Sequence, residues 1–142
     1  MSERSGEVDA GVVDERIAAR LGSNGVRREP GGRLEVELVA ERVVARLGEE
    51  NARLRARSRW LADQLERAAG SLLLNLGEQR HNARGNRRLR LETAAGSASE
   101  IRSALRFARL YRHLDAKLCE ELDGDLDRVL AMLWRMRQRA GG

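Results

Sequence analysis

The stretch Leu91–Leu105, LETAAGSASEIRSAL, places seven small residues in a row, Thr93 to Ser99, inside an apolar pattern typical of a helix. Apolar residues recur at helical spacing across the whole stretch, so the pattern favours a continuous helix over the loop that Gly and Ser also suggest. A glycine inside a helix costs roughly 1 kcal/mol relative to alanine, which makes Gly96 a poor choice for an exposed position. The small residues therefore predict close contact with a second helix.

The segment with matching features is RAAGSLLLNLGE, residues 67–78. It also carries a run of small residues beside a leucine stripe, namely Ala68, Ala69, Gly70 and Ser71. Short side chains on both segments allow the two helices to approach each other. We therefore expect the pair Gly70–Ser71 to lie opposite the pair Gly96–Ser97.

A polar line runs beside the same leucines. Ser71, Asn75 and Glu78 are spaced at i, i+4 and i+7, which places them on one helix face. Buried polar groups need hydrogen-bond partners, and Ser97 and Glu100 on the other segment are placed to supply them. The pattern predicts a buried polar network. The alternative is that Glu78 and Glu100 lie in solvent.

Apolar residues at helical spacing mark four segments, which the pattern predicts as helices over residues 33–48, 52–78, 91–111 and 116–136, with Asp115 as the N-cap of the last. Strand signals are nearly absent. Four amphipathic helices with short connections predict an all-α fold, an antiparallel up-down-up-down four-helix bundle over residues 33–140. Residues 1–32 contain the only proline and predict an N-terminal arm, partly disordered or with a short helix over Val12–Leu21.

The composition points to a basic protein of about one domain. The chain has 142 residues and a formal net charge of +5, and only Lys117 among its 27 basic residues is a lysine. Arginine suits phosphate recognition, although an arginine-favouring genome is the alternative. No apolar run reaches the ~18 residues of a membrane span, and the N-terminus lacks a signal pattern. We expect a cytoplasmic protein without membrane contact.

The basic segment, Glu78–Arg90 (EQRHNARGNRRLR), is the most charged part of the chain. Its asparagines and glycine indicate a connection or a loosely wound helix start. No acid lies between Glu78 and Glu92, so the arginines are candidates to bind nucleic-acid phosphates with strong salt dependence. These candidates are Arg80, Arg84, Arg87, Arg88 and Arg90. The alternative is a solvated loop whose arginines pair with acids from neighbouring helix ends.

The second arginine run, Arg53–Arg59, alternates arginine with other residues. A helix spreads such charges over different faces, which argues against a single patch. No aromatic residue lies between Arg80 and Arg90, so base stacking is not expected there. Any nucleic-acid contact should read backbone charge or shape, with little sequence preference.

Catalytic and metal chemistry have little support. Glu78 and His81 have the Glu-x-x-His spacing of paired-metal bundles, but such a site needs a second motif and two further glutamates. The other histidine, His113, follows Leu110 at that spacing. Cys119 fits an apolar stripe and has no histidine near it in sequence, and no Gly-x-Ser-x-Gly or Walker loop is present. We expect no cofactor, no metal and no enzymatic activity.

Two motifs carry a resemblance to a known family. RAAGSLLLNLGEQ, Arg67 to Gln79, and GSASE, Gly96 to Glu100, resemble the paired RAAxSIxxNIAEG and GSxxE signature of bacterial four helix bundle proteins. This family includes proteins encoded in intervening sequences of 23S ribosomal RNA genes. The resemblance covers roughly Leu34 to Arg137. It implies a homopentamer, and kinship with the accessory variability determinant protein of diversity-generating retroelements.

The resemblance and the charge pattern together suggest a function. A ring of five bundles would turn the basic segment into a continuous collar of positive charge. We therefore expect a non-enzymatic oligomeric scaffold whose arginine-rich surface binds RNA or DNA phosphates. The alternative is a protein-interaction scaffold, a ring that recruits a protein partner and binds no nucleic acid.

Overall fold

The computed structural model of the chain describes residues 34–141, which form an all-α bundle as predicted. Each helix packs against two others, in the closed order α1–α2–α3–α4, and the short connections make neighbours antiparallel. The four helices are α1 (Glu35–Arg57), α2 (Arg59–Glu78), α3 (Arg84–Leu110) and α4 (Ala116–Gly141). The predicted N-terminal arm, residues 1–32, lies outside the described residues.

The boundary between α1 and α2 differs from the prediction. We expected α1 to end near Gly48 and α2 to start near Ala52, but α1 continues through Gly48 to Arg57. The apolar stripe continues as well, because Leu47 and Leu54 are both buried. Burying a leucine side chain contributes about 1.5–3 kcal/mol, which outweighs the roughly 1 kcal/mol that an internal glycine costs.

Side-chain caps begin α2 and α4. Ser58 has an extended backbone, and its Oγ accepts a hydrogen bond from the Leu61 N–H at 3.2 Å. Asp115 does the same for α4, where its Oδ2 accepts from the Leu118 N–H at 3.1 Å. Both satisfy N–H groups that a helix start leaves without an internal partner. The cap predicted at Asp115 is confirmed.

Helix α3 begins at Arg84, earlier than the predicted Leu91. A short 3-10 turn over Gln79–His81 and an extended Asn82 join it to α2. The first two turns of α3 lie before the buried apolar stripe, since Leu89 is exposed and Leu91 is buried. The helix therefore starts before its apolar periodicity can be seen in the sequence.

The core is built from leucine, alanine and valine, and none of its fully buried members in residues 34–141 is aromatic. The small-residue runs contribute to it through Ala68 and Ala69 on α2 and through Ala94, Ala95 and Ala98 on α3. At the seam between the two helices, the Ser97 hydroxyl donates to the Ser71 hydroxyl at 2.7 Å. The predicted opposition of Ser71 and Ser97 is confirmed.

The two glycines of the predicted contact do not lie at the seam. Gly70 and Gly96 are both exposed, and a Cβ added at either position would meet no atom within 4 Å. Consecutive helix residues point about 100° apart, so the neighbours of Ser71 and Ser97 turn outward. The prediction that these glycines allow α2 and α3 to approach each other is wrong.

Candidate nucleic-acid interface

The basic segment closes the end of the bundle where α2 ends and α3 begins. The Asn82 Nδ2 donates to the Glu78 carbonyl oxygen at 2.6 Å, which holds the turn between the helices. Residues 84–90 form the first two turns of α3. The segment thus contains both a connection and a helix start.

Arg87 is held by a neutral amide. Its Nε donates to the Gln79 Oε1 at 2.8 Å, and Gln79 is only 1% exposed. A buried amide is a fixed acceptor, so it orients the guanidinium group. Because the amide carries no net charge, the positive charge of Arg87 is left uncancelled by this contact.

Arg90 is held by a polar network that starts at the helix seam. Its Nη1 donates to the Asn75 Oδ1 at 3.2 Å. The Asn75 Nδ2 donates to the backbone oxygen of Ser71 at 2.8 Å and to its Oγ at 3.3 Å. Ser71 in turn accepts the hydrogen bond from Ser97. The predicted buried network exists for Ser71, Asn75 and Ser97, and it ends at an exposed guanidinium group.

The two glutamates assigned to that network lie elsewhere. Glu78 and Glu100 are both exposed, so the alternative that they lie in solvent is correct. The Glu100 Oε2 lies 4.0 Å from Nη2 of Arg67, which also donates to Gln64 at 2.6 Å. Burying a carboxylate is expensive unless it is paired and hydrogen-bonded, and the seam satisfies its polar groups with hydroxyls and amides.

Two other candidate arginines pair with acids, and one of them, Arg80, does so with the end of a neighbouring helix, as the alternative interpretation expected. The Arg80 Nε lies 3.5 Å from the Glu37 Oε2 on α1. The Arg88 Nε donates to the Glu92 Oε2 at 3.1 Å one helical turn away. The side chain of the fifth candidate, Arg84, lies outside what the structure describes. The segment therefore combines paired arginines with the amide-held Arg87 and Arg90.

The second arginine run lies at the opposite end of the bundle, in the last turns of α1 and at the first residue of α2. Arg55 bonds to Asp63 at 2.6 Å and to Glu66 at 3.0 Å on α2. The hydrogen bond to Asp63, together with the charges of both carboxylates, raises the pKa of Arg55. The Arg57 Nη1 instead donates to a backbone oxygen, that of Arg112 at the end of α3. Arg55 and Arg57 thus have different partners, whereas Arg53 and Arg57 line the same cavity, so the predicted spread of the run over different helix faces is correct only in part.

Within residues 34–141, no group of three or more His, Cys, Asp or Glu side chains lies close enough to hold a metal ion. Cys119 is buried, and this burial raises the pKa of its thiol. In the same part of the chain, no helix has both the length and the apolar character that crossing a membrane requires.

Several contacts of these arginines are not among those predicted from the sequence. Glu92 follows Arg88 at i+4, a standard helix pair that the local spacing signals. Gln79 and Asn75 reach their arginines across the turn between α2 and α3. No local spacing signals those contacts, because they depend on where α3 begins.

One family model matches the chain, over residues 34–135, and its description is 23S rRNA-intervening sequence protein. The matched span covers α1 to α3 and most of α4. No curated protein and no solved structure matches the chain. The family match agrees with the resemblance carried by residues 67–79 and 96–100. The chain therefore belongs to the family of 23S rRNA-intervening sequence proteins.

Proposed function

We propose that this protein is a non-enzymatic, homo-oligomeric helical scaffold whose basic segment binds RNA or DNA phosphates with little sequence preference. The main support is the way in which Arg87 and Arg90 are held. Their hydrogen bonds go to the amide oxygens of Gln79 and Asn75. These bonds orient two guanidinium groups at one end of the bundle without cancelling their charge.

The chemistry of the segment suits phosphate better than bases. A guanidinium group presents paired donors that match two phosphate oxygens. Each phosphate that is neutralised releases condensed counterions, which favours binding at low salt. The segment contains no Phe, Tyr or Trp for stacking, so contacts to the nucleic-acid backbone are favoured over recognition of bases.

We further propose a homopentamer, following the family resemblance. Leu74 is 70% exposed and Leu89 is 58% exposed. Leu89 belongs to the basic segment, and Leu74 directly precedes Asn75, which accepts a hydrogen bond from Arg90 of that segment. Contiguous exposed apolar patches mark surfaces that contact another chain, and packing between neighbouring subunits of a ring would cover these two leucines. Native mass measurement should give five chain masses, and a monomer would contradict the ring.

Nucleic-acid binding is tested by fluorescence anisotropy with labelled duplex RNA and duplex DNA at about 50 mM and about 200 mM salt. The test variant carries Arg87→Gln and Arg90→Gln. The control carries Arg59→Gln and Arg106→Gln, which removes the same charge from two exposed positions outside the basic segment. We expect the test variant to lose most of the affinity and the control to keep it. Absence of binding at low salt, or equal binding by both variants, would contradict this function.

A protein-interaction scaffold is the second candidate, favoured by one other surface. A groove of about 360 Å³ between α1 and α2 is lined largely by apolar residues. These include Val44, Leu47, Leu54, Leu65 and Ala69. Co-purification of a protein partner that survives nuclease treatment, together with no oligonucleotide binding, would support this candidate over the first.

A further inference from the structure

A cavity of about 460 Å³ opens at the end of the bundle opposite the basic segment. It lies where α1 and α3 end and where α4 begins. Its volume falls within the roughly 300–1,000 Å³ of typical small-ligand sites. The wall is rich in arginine, with Arg53, Arg57, Arg109 and Arg112.

Two of these arginines have carboxylate partners. Arg53 lies 3.3 Å from Glu50, which also lines the cavity. Arg109 lies 3.5 Å from Glu120 on α4. Exposed pairs of this kind are weak and are screened by salt, so both guanidinium groups can turn toward an anion in the cavity.

The other two arginines, Arg57 and Arg112, form no ion pair with any residue in the described range 34–141. The Arg57 Nη1 donates to the backbone oxygen of Arg112 at 3.0 Å, and this bond ties the end of α1 to the end of α3. The remaining carboxylate in the wall, Asp115, already accepts a hydrogen bond from the first turn of α4. The cavity therefore keeps an excess of positive charge among the described residues.

Arg112 occupies a backbone conformation that normally selects glycine. Its φ is 59°, the only positive value of a non-glycine residue in the described chain. It closes α3 in a Schellman motif: its N–H donates to the Arg109 oxygen at 3.0 Å, and the His113 N–H donates to the Ala108 oxygen at 2.7 Å. An arginine at a strained position where glycine fits better is a candidate for function.

An aromatic row runs into this cavity. The Trp60 and Phe107 ring centroids lie 5.5 Å apart, those of Phe107 and Tyr111 4.4 Å, and those of Tyr111 and His113 5.8 Å. His113 itself lines the cavity. Trp60 is 58% exposed and Tyr111 is 63% exposed. Three of the four Phe, Tyr and Trp residues of the chain thus belong to a row that ends at His113, a residue of the cavity wall.

We propose that this end binds an unpaired nucleotide of a single-stranded nucleic acid. Arg57 and Arg112 hold a phosphate in the cavity, and a base stacks on the exposed face of Tyr111 or Trp60. Positive grooves combined with aromatic stacking surfaces are the usual means of binding single strands. The site shares the ligand class of the proposed function but uses different residues at the opposite end of the bundle.

The fluorescence of Trp60 can report binding at this end of the bundle. A Trp134→Phe background leaves it as the single tryptophan. The probes are a single-stranded RNA of about eight nucleotides and the blunt duplex of the same sequence. We expect the single strand to quench Trp60 fluorescence in a saturable way, and the duplex to quench it much less because its bases are already stacked.

Two variants test whether Arg112 and Tyr111 bind the single strand. Arg112→Gly removes the guanidinium group and suits the positive φ, so the fold is retained, and Tyr111→Leu removes the stacking ring. Each should weaken single-strand binding about tenfold, whereas Arg106→Gln, an exposed neighbour on α3 that lies outside this cavity, should not. Absence of Trp60 quenching at low salt, or an unchanged single-strand affinity in Arg112→Gly, would overturn the proposal. A protein partner would then be the better candidate to contact the aromatic row.

The two binding ends can be tested apart. The variant with Arg87→Gln and Arg90→Gln should lose duplex binding and keep the quenching of Trp60 by the single strand. Loss of quenching in that variant would show that the aromatic row has no site of its own. Duplex binding by the protein with Arg112 intact, without quenching of Trp60 by the single strand, would refute only the site at this end.

Discussion

Ser71 and Ser97 link the interior of the bundle to its surface chemistry. Their hydroxyls meet at 2.7 Å, and the same Ser71 accepts from Asn75, which accepts from Arg90. Hydrogen bonds of this kind contribute about 1 kcal/mol each, so the network contributes only modestly to stability. Its larger effect is to fix where the Arg90 guanidinium group lies.

At the same scale, Gly96→Ala should stabilise the protein. The position is exposed in mid-helix, and an added Cβ would meet no atom within 4 Å. Alanine therefore gains helix propensity without a clash, and we expect the free energy of unfolding to rise by about 1 kcal/mol. Urea unfolding measures this change, and Gly70→Ala offers a second position of the same kind.

A loss of stability in Gly96→Ala would contradict this expectation. It would show that another chain packs against the glycine in the assembly, and that the close approach predicted from the sequence occurs between chains. Repeating the measurement at two protein concentrations separates these cases, because contacts between chains depend on concentration.

The sequence indicates which segments form the seam between α2 and α3, but it does not indicate which way each side chain of those segments points. Small residues and a polar line placed Ser71, Asn75 and Ser97 together, and the structure agrees. Glu100 was assigned to the same network because it lies one turn from Ser97. A shift of one position turns a side chain by about 100°, which is enough to send a glycine or a glutamate to the outside.

At the scale of helices, tertiary packing decided where α1 ends. The low propensity of Gly48 suggested an end there, but α1 continues to bury Leu54. The actual break depends on Ser58, whose hydroxyl caps α2. A serine is a recognisable N-cap residue in the sequence. The arginine run before Ser58, however, has no apolar periodicity that would mark this position as a helix boundary.

Ser58→Ala should therefore destabilise the start of α2. It removes the acceptor of the Leu61 N–H, and loss of an N-cap typically costs about 1 kcal/mol. Chemical denaturation should show a lower midpoint, with an unchanged slope of the free energy of unfolding against denaturant concentration. Ser103→Ala, an exposed serine inside α3, serves as the control. A drop of equal size in the control would contradict the capping role.

At the scale of the whole molecule, ion pairs far apart in sequence join α4 to its neighbours. Arg42 on α1 donates to both carboxylate oxygens of Asp125 at 2.7 Å, and Arg128 contacts the same carboxylate. Arg102 on α3 bonds Asp123 at 2.7 Å. Apolar periodicity predicts four helices, each with one apolar stripe. It does not predict which charged residues on different helices form ion pairs once those stripes pack together.

Asp125→Asn should weaken the bundle strongly. Asp125 is fully buried, and the change removes the negative charge that two arginines share. Charge-assisted hydrogen bonds contribute about 1.5–3 kcal/mol, so we expect a loss of about 2 kcal/mol in the free energy of unfolding. Asp127→Asn, whose side chain is 73% exposed, should cost much less. Equal effects of the two changes would argue against the buried pair.

The rate at which Cys119 is alkylated measures opening of the whole bundle. Burial raises the pKa of its thiol, and the nearby Asp115 adds to this while Arg109 opposes it. Since the thiolate is the reactive form, alkylation near neutral pH should be slow in the folded protein and should speed up in urea together with unfolding. A Ser103→Cys variant in a Cys119→Ser background should react quickly without urea. Fast labelling of native Cys119 would contradict a closed core.

The central claim, phosphate binding by the basic segment, is tested most directly by the salt dependence of the affinity for duplex RNA or DNA. For the wild type, the logarithm of the binding constant should fall linearly with the logarithm of salt concentration. In the variant with Arg87→Gln and Arg90→Gln, the slope should become shallower by about two, with no such change in the control carrying Arg59→Gln and Arg106→Gln. Identical slopes for wild type and test variant would contradict the claim.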